Sequence, residues 1–166
     1  AGQDSGQVYH GKGGPLMAGR YYEDLEVGLF LRHDVRRTVT EWDNVQFSTM
    51  TMNPAAIHLD HDYCRTTEFG RPLVNSIFTL GLVVGLSVGD TTLGTTIGNL
   101  GWEEVRFPAP VFAGDTIRAE TEVVARRPSK SRPTQGIVTF LHRGLNQRDE
   151  LVCECRRLAL MHRRPA

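Results

Sequence analysis

The sequence predicts an α+β fold in which an antiparallel β-sheet wraps around one long central α-helix. Residues Leu73 to Val88, with NSIFTLGLVVGLSV at their centre, are apolar almost all round, and a helix with no polar face must be covered on most sides. Everything after that helix carries β character in four segments, Asn99 to Phe107, Thr116 to Ala125, Thr134 to Leu145 and Glu150 to Met161. One helix followed by four strands implies a sheet that curls around the helix to bury its apolar face.

The elements follow in order. Residues 1 to about 18, AGQDSGQVYHGKGGPLMA, are Gly-rich and polar with no usable period, and predict a flexible N-terminal arm ahead of a single domain over 19–166. LFLRHDVRRTVT, from Leu29 to Thr40, is rich in β-branched residues and alternates imperfectly, which reads as a strand; Thr40-Glu-Trp-Asp43 then caps a short helix. Asp60 and Asp62 stand where a carboxylate caps another short helical turn. In the central helix Gly81 and Gly85 lie four apart, a spacing that lets a second backbone or sheet approach closely. Gly114-Asp115 and Asn146-Gln-Arg-Asp149 are turn signals between strands.

Composition narrows the classes of function. Apolar residues make up 40 % of the 166 and charged residues 23 %, the balance of a globular domain. Nineteen basic residues offset nineteen acidic ones, so no global field favours nucleic acid or an anionic membrane. The longest apolar run, Leu80 to Val88, is far shorter than the ~20 residues a membrane helix needs. Cys64, Cys153 and Cys155 form no disulfide framework; they read as buried free thiols, Cys153 and Cys155 on one face of a strand, and the expected compartment is the cytoplasm.

Two segments carry chemistry. Asn53-Pro-Ala-Ala-Ile-His58 places an amide five positions before a histidine, and Arg71-Pro-Leu-Val-Asn-Ser76 leads into the central helix. Histidine is the side chain suited to proton transfer near neutrality, and a helix N-terminus favours developing negative charge. Read without further context, His58 is as readily a structural or surface residue, and Asn53-Pro54 a simple turn. His33 and His61 read as ordinary surface residues.

These residues resemble the MaoC-like, R-specific enoyl-CoA hydratases of the hotdog fold. The signature of that family is Gly-Asp-x-Asn-Pro-x-His, followed by an Arg-Pro-[IV]-[AV]-His-Gly lead into the central helix. Here His58 and its spacing are kept, the family's Asp is Asn53, and the His-Gly pair is Asn75-Ser76. Asn99 to Asp115 adds the family's strand, its Phe-x-x-Pro-Val turn and its Gly-Asp turn. Among members, those acting on branched dicarboxylic substrates such as mesaconyl- or itaconyl-CoA are similar in carrying Asn at that position.

The resemblance implies reversible addition of water to an enoyl-CoA thioester, in a homodimer or higher homo-oligomer whose sheets join. His58 is then the base, Asn53 the residue that orients water, and the Ser76 N–H the donor to the thioester oxygen. An amide orients water but cannot take its proton, so half of the family's usual pair is altered. Arg71, Asn75 and Arg65 are the candidate substrate contacts. A carboxylated acyl group would need a cation in its pocket, for which Arg65, Arg71 and Arg106 are candidates. Strand alternation, apart from the resemblance, turns one of the adjacent Glu103 and Glu104 inward, where it is a candidate substitute acid. Coenzyme A is part of the substrate, and neither metal nor redox cofactor is required. Two other readings stay open on the same residues, a hotdog acyl-CoA thioesterase and a non-catalytic acyl-CoA-binding or assembly subunit.

Overall fold

The structure is a computed structural model that describes residues 9–10 and 19–165. The expected N-terminal arm therefore lies outside the described residues, except at Tyr9–His10, whose backbone pairs in parallel with Leu31 and Arg32. That pair is strand β1. The remaining strands are β2 (Phe30–Thr38), β3 (Thr96–Arg106), β4 (Thr116–Pro128), β5 (Gln135–Leu145) and β6 (Leu151–His162). They form one sheet in the order β1-β2-β4-β5-β6-β3, antiparallel throughout except at β1–β2. Between β2 and β3 the chain folds α1 (Glu41–Met50), α2 (Ala56–Leu59), α3 (His61–Cys64) and the long α4 (Ser76–Thr91).

Local chemistry explains these boundaries. Thr40 caps α1: its hydroxyl accepts from Asp43 N–H at 3.2 Å while the Asp43 carboxylate accepts from Thr40 N–H at 2.8 Å. Asp60 caps α3 by accepting from Asp62 and Tyr63 N–H at 2.9 and 3.0 Å. The central helix begins three residues later than its apolar run, at Ser76, because Asn75 caps it by accepting Ile77 N–H at 3.1 Å.

The inner face of the sheet is filled in two parts. Helix α4 covers one, with Val83 packed among Val39, Ile117, Ala119, Val152 and Cys153. The 3₁₀ turn Tyr22–Asp24 and Leu25 cover the other, against Val123, Val138, Phe140, Ala159 and Met161. Both approaches are close enough that only glycine fits beneath them. A Cβ on Gly144 would stand 2.3 Å from Val83 Cγ2, and one on Gly136 2.2 Å from the Tyr22 ring.

Between the two apolar clusters a polar layer crosses the strands. His33 on β2 bonds Asp90 through Nδ1 at 2.7 Å and the Thr121 hydroxyl through Nε2 at 2.7 Å; the same hydroxyl lies 2.9 Å from His142 Nδ1 on β5. Cys155 pairs with His142 in register, and Arg157 bonds Asn99 on β3 at 2.5 Å. Burial pushes the His142 imidazole down to about 3, helped by the charges of Arg157 and His33. His33 was expected at the surface and is 3 % exposed, because the parity of β2 turns Leu31 and His33 inward together.

Two further expectations are corrected. The helix α4 is buried along one stripe only, Thr79, Val83, Ser87 and Thr91, while Gly81 and Gly85 face outward with nothing within 4 Å of a Cβ placed there. The sheet covers the opposite side, so the glycines do not make the close sheet contact that their spacing suggested. Glu103 and Glu104 are both exposed: β3 is an edge strand bulged between Glu103 and Arg106, and Glu104, at φ 50°, pairs with Arg156 at 3.0 Å. The thiols of Cys64, Cys153 and Cys155 are free and buried, as alternation required of the last two.

Candidate active site

The chain leaves α1 through Met52, which takes a left-handed conformation, and Asn53 then organises the turn. Its Oδ1 accepts the Ala55 N–H at 3.0 Å, bridging Pro54 and starting α2. This bond assigns the amide oxygen, and no partner for Asn53 Nδ2 is found among the described residues. His58 is the third residue of α2 and is half-buried.

His58 and its neighbour Ile57 are tied to the approach to α4 by two bonds in opposite directions. Leu73 N–H donates to the Ile57 carbonyl at 2.9 Å, and His58 Nδ1 lies 2.7 Å from the Leu73 carbonyl. A carbonyl only accepts, so Nδ1 carries the proton and Nε2 presents its lone pair. That tautomer is the one a general base requires.

Asn44, buried on α1, touches both sides of this junction. Its Nδ2 donates to the carbonyls of His58 at 2.9 Å and Leu73 at 3.0 Å, and its Oδ1 accepts Asn75 N–H at 2.9 Å. The Asn75 side chain is itself occupied, capping α4 and donating to the Ser48 hydroxyl at 3.4 Å. Asn75 is 5 % exposed and lies buried at the start of α4. Ser76, the first residue of α4, is exposed, and no acceptor for its N–H is found among the described residues. It points the positive end of the helix at whatever lies above it.

A cavity of ≈ 210 Å³ opens there, lined by Leu73, Val74, Ser76 and Thr79 from the helix approach, by Phe69, and by the Phe107 to Val111 turn with Val152. Its lining is apolar apart from Ser76 and Thr79 and carries no charged side chain. His58 and Asn53 are not in this wall; His58 is linked to it through Leu73, which it bonds and which the cavity touches.

The candidate cations lie elsewhere. Arg71 stacks its guanidinium 3.9 Å above the Phe112 ring and lines a smaller recess of ≈ 120 Å³ with Glu41, Asn44 and His61. Arg65 pairs with Asp62 at 3.1 Å, both side chains open to solvent, and Arg106 is absent from the cavity wall. The structure thus joins His58, Asn75 and Ser76 around Leu73, places Asn53 at the turn before them, and keeps Arg65 apart. Asn44 was missed in the sequence. Its one signal was two polar residues four apart on a single helix face, Asn44 and Ser48, both of which prove to be buried.

An antiparallel sheet curved over one helix, with a histidine bonded to a residue that lines a cavity at the helix N-terminus, defines a hotdog domain. The chain belongs to the MaoC like domain family, whose pattern matches residues 26–143. It is 32 % identical to a mesaconyl-CoA hydratase of Cereibacter sphaeroides over 89 % of this chain and 42 % of that protein. With an (R)-specific enoyl-CoA hydratase of Aeromonas caviae it shares 35 % identity over 65 % of this chain and 78 % of the relative. A solved structure from Mycobacterium tuberculosis described as a double hotdog fold superposes with a TM-score of 0.78 at 24 % identity, covering 89 % of this chain and 45 % of that one. The chain therefore spans a little under half of the mesaconyl-CoA hydratase relative and of the double-hotdog structure.

Proposed function

We propose that the chain is a hydro-lyase that adds water reversibly to the double bond of a short or branched enoyl-CoA thioester. The observation that carries this reading is the tautomer of His58, with Nδ1–H on the Leu73 carbonyl and no partner for Nε2 among the described residues. In the proposed reaction Asn53 Nδ2 donates a hydrogen bond to water, and His58 Nε2 takes a proton from it as its oxygen bonds Cβ. The Ser76 N–H, at the positive end of α4, stabilises the enolate oxygen that forms on the thioester. Because Asn53 cannot carry the proton, His58 returns it to Cα, so one residue serves both transfers.

The relatives named as mesaconyl-CoA hydratases support a branched dicarboxylic substrate, whereas the uncharged ≈ 210 Å³ cavity supports only that the acyl group is short. Coenzyme A enters as part of the substrate, and the chemistry needs no metal or redox cofactor. A cytoplasmic site of action, with no nucleic-acid or membrane partner, belongs to the same reading; no helix among the described residues is long and apolar enough to cross a membrane.

A homodimer is part of the proposal as well. Among the described residues the outer edge of β3 is unpaired; Leu100, Trp102 and Val105 on it are exposed, and so are Ile77, Gly81 and Gly85 of α4. The deciding experiment is a hydration assay over crotonyl-, mesaconyl- and longer straight-chain enoyl-CoA. Loss of double-bond absorbance with the short substrates, abolished in His58→Ala, is the expected result. Release of free thiol without that change would replace hydration by thioester hydrolysis.

A further inference from the structure

We infer that Asn44 is a positioning residue that holds the base and the helix N-terminus in one geometry, an inference that rests on the hydratase reading for its catalytic meaning. Three bonds converge on its side chain: two donated from Nδ2, to the carbonyls of His58 and Leu73 at 2.9 and 3.0 Å, and one accepted by Oδ1 from Asn75 N–H at 2.9 Å. The amide has only one workable orientation. Flipped, it would set its oxygen against two carbonyl oxygens and its N–H groups against the Asn75 N–H. Asn44 is 3 % exposed, so these groups have no water to replace the partners they would lose.

The Leu73 carbonyl is the shared element. It receives His58 Nδ1–H at 2.7 Å and Asn44 Nδ2–H at 3.0 Å, and its own residue lines the acyl cavity. With Asn44 in place the carbonyl cannot rotate away from the imidazole, and the proton stays on Nδ1. The same amide fixes the peptide of Asn75, directly before the Ser76 N–H. A shift of α1 would thus move base and oxyanion donor together and would not pull them apart. Asn44 touches no reacting atom in this arrangement; it acts through Leu73 and Asn75.

Nitrogen spectra of protein carrying isotope-labelled histidine read the tautomer directly and need no substrate, with His58→Ala assigning the signal. In the wild type His58 should show a single Nδ1–H form. Asn44→Ala should convert it to a mixture of the two neutral tautomers, and in the hydration assay should lower kcat on the order of 10²-fold with KM within about twofold. Asn44→Ser is uncharged and keeps a polar side chain but cannot span both carbonyls, so the same change in tautomer is expected of it and can be read even if the alanine variant fails to fold. An unchanged His58 spectrum in a folded Asn44 variant would overturn the inference. A lost tautomer preference in a protein that hydrates no enoyl-CoA would support the positioning role and overturn the hydratase reading instead.

Discussion

His58 donates its Nδ1–H to the Leu73 carbonyl at 2.7 Å, and by that bond a residue of a one-turn helix is joined to a residue in the wall of the cavity at the start of α4. The bond selects the tautomer with a free Nε2. Replacing His58 by Ala removes the only proton acceptor proposed for the reaction, so kcat for hydration should fall by roughly 10²–10⁴-fold while KM changes little. His58 is half-buried and its backbone bonds remain, so thermal unfolding should move little; a large drop would assign His58 to the fold instead.

Asn53→Asp tests the altered half of the pair. A carboxylate oxygen can accept the Ala55 N–H as Asn53 Oδ1 does, so stability in a denaturant titration should hold within about 0.5 kcal/mol. The new group can accept a proton, and hydration of crotonyl-CoA should rise if the Asn is a specificity change. Loss of activity on a branched substrate would make the Asn part of the mechanism.

His142 makes stability depend on pH. An unfolded chain takes up a proton at this histidine near 6.5, whereas the native protein holds it off until about 3. Between those values the unfolded state binds more protons, so stability is full above pH 6.5 and falls as pH drops, by about 1.4 kcal/mol per pH unit from this group. Denaturant titrations at several pH values on wild type and His142→Gln should show a shallower slope in the variant. Equal slopes would show that His142 is not the group responsible.

Gly144 has no room for a methyl group beneath α4. Gly144→Ala should destabilise by about 1–3 kcal/mol because Val83 Cγ2 stands 2.3 Å from the new Cβ and a valine in a helix has little rotamer freedom. Combining it with Val83→Ala should recover part of that loss, and the double-mutant cycle measures how much of the strain lies in this one contact.

The exposed edge of β3 yields a further measurement. Leu100→Lys puts a charge on the edge proposed to pair between copies and should shift the oligomer toward monomer in sedimentation or light scattering. Unchanged mass would move the interface elsewhere.

What the sequence determined by itself was mostly local. Thr40, Asp60 and the Asn53 turn bond to backbone two or three residues away, and the four late strands announce themselves by β-forming residues between turn signals, so each was legible without knowing what lay across the fold. The helix of apolar residues was legible too, but not the side it would show: burial of Val83 and exposure of Gly81 and Gly85 follow from which face the sheet meets. Only tertiary structure decided the tautomer of His58, the seat of Asn44, and the polar layer from His33 through Thr121 to His142. Their partners lie 15, 29, 88 and 21 residues away, where pairing is set by strand register and helix docking, and no local period of the chain encodes it.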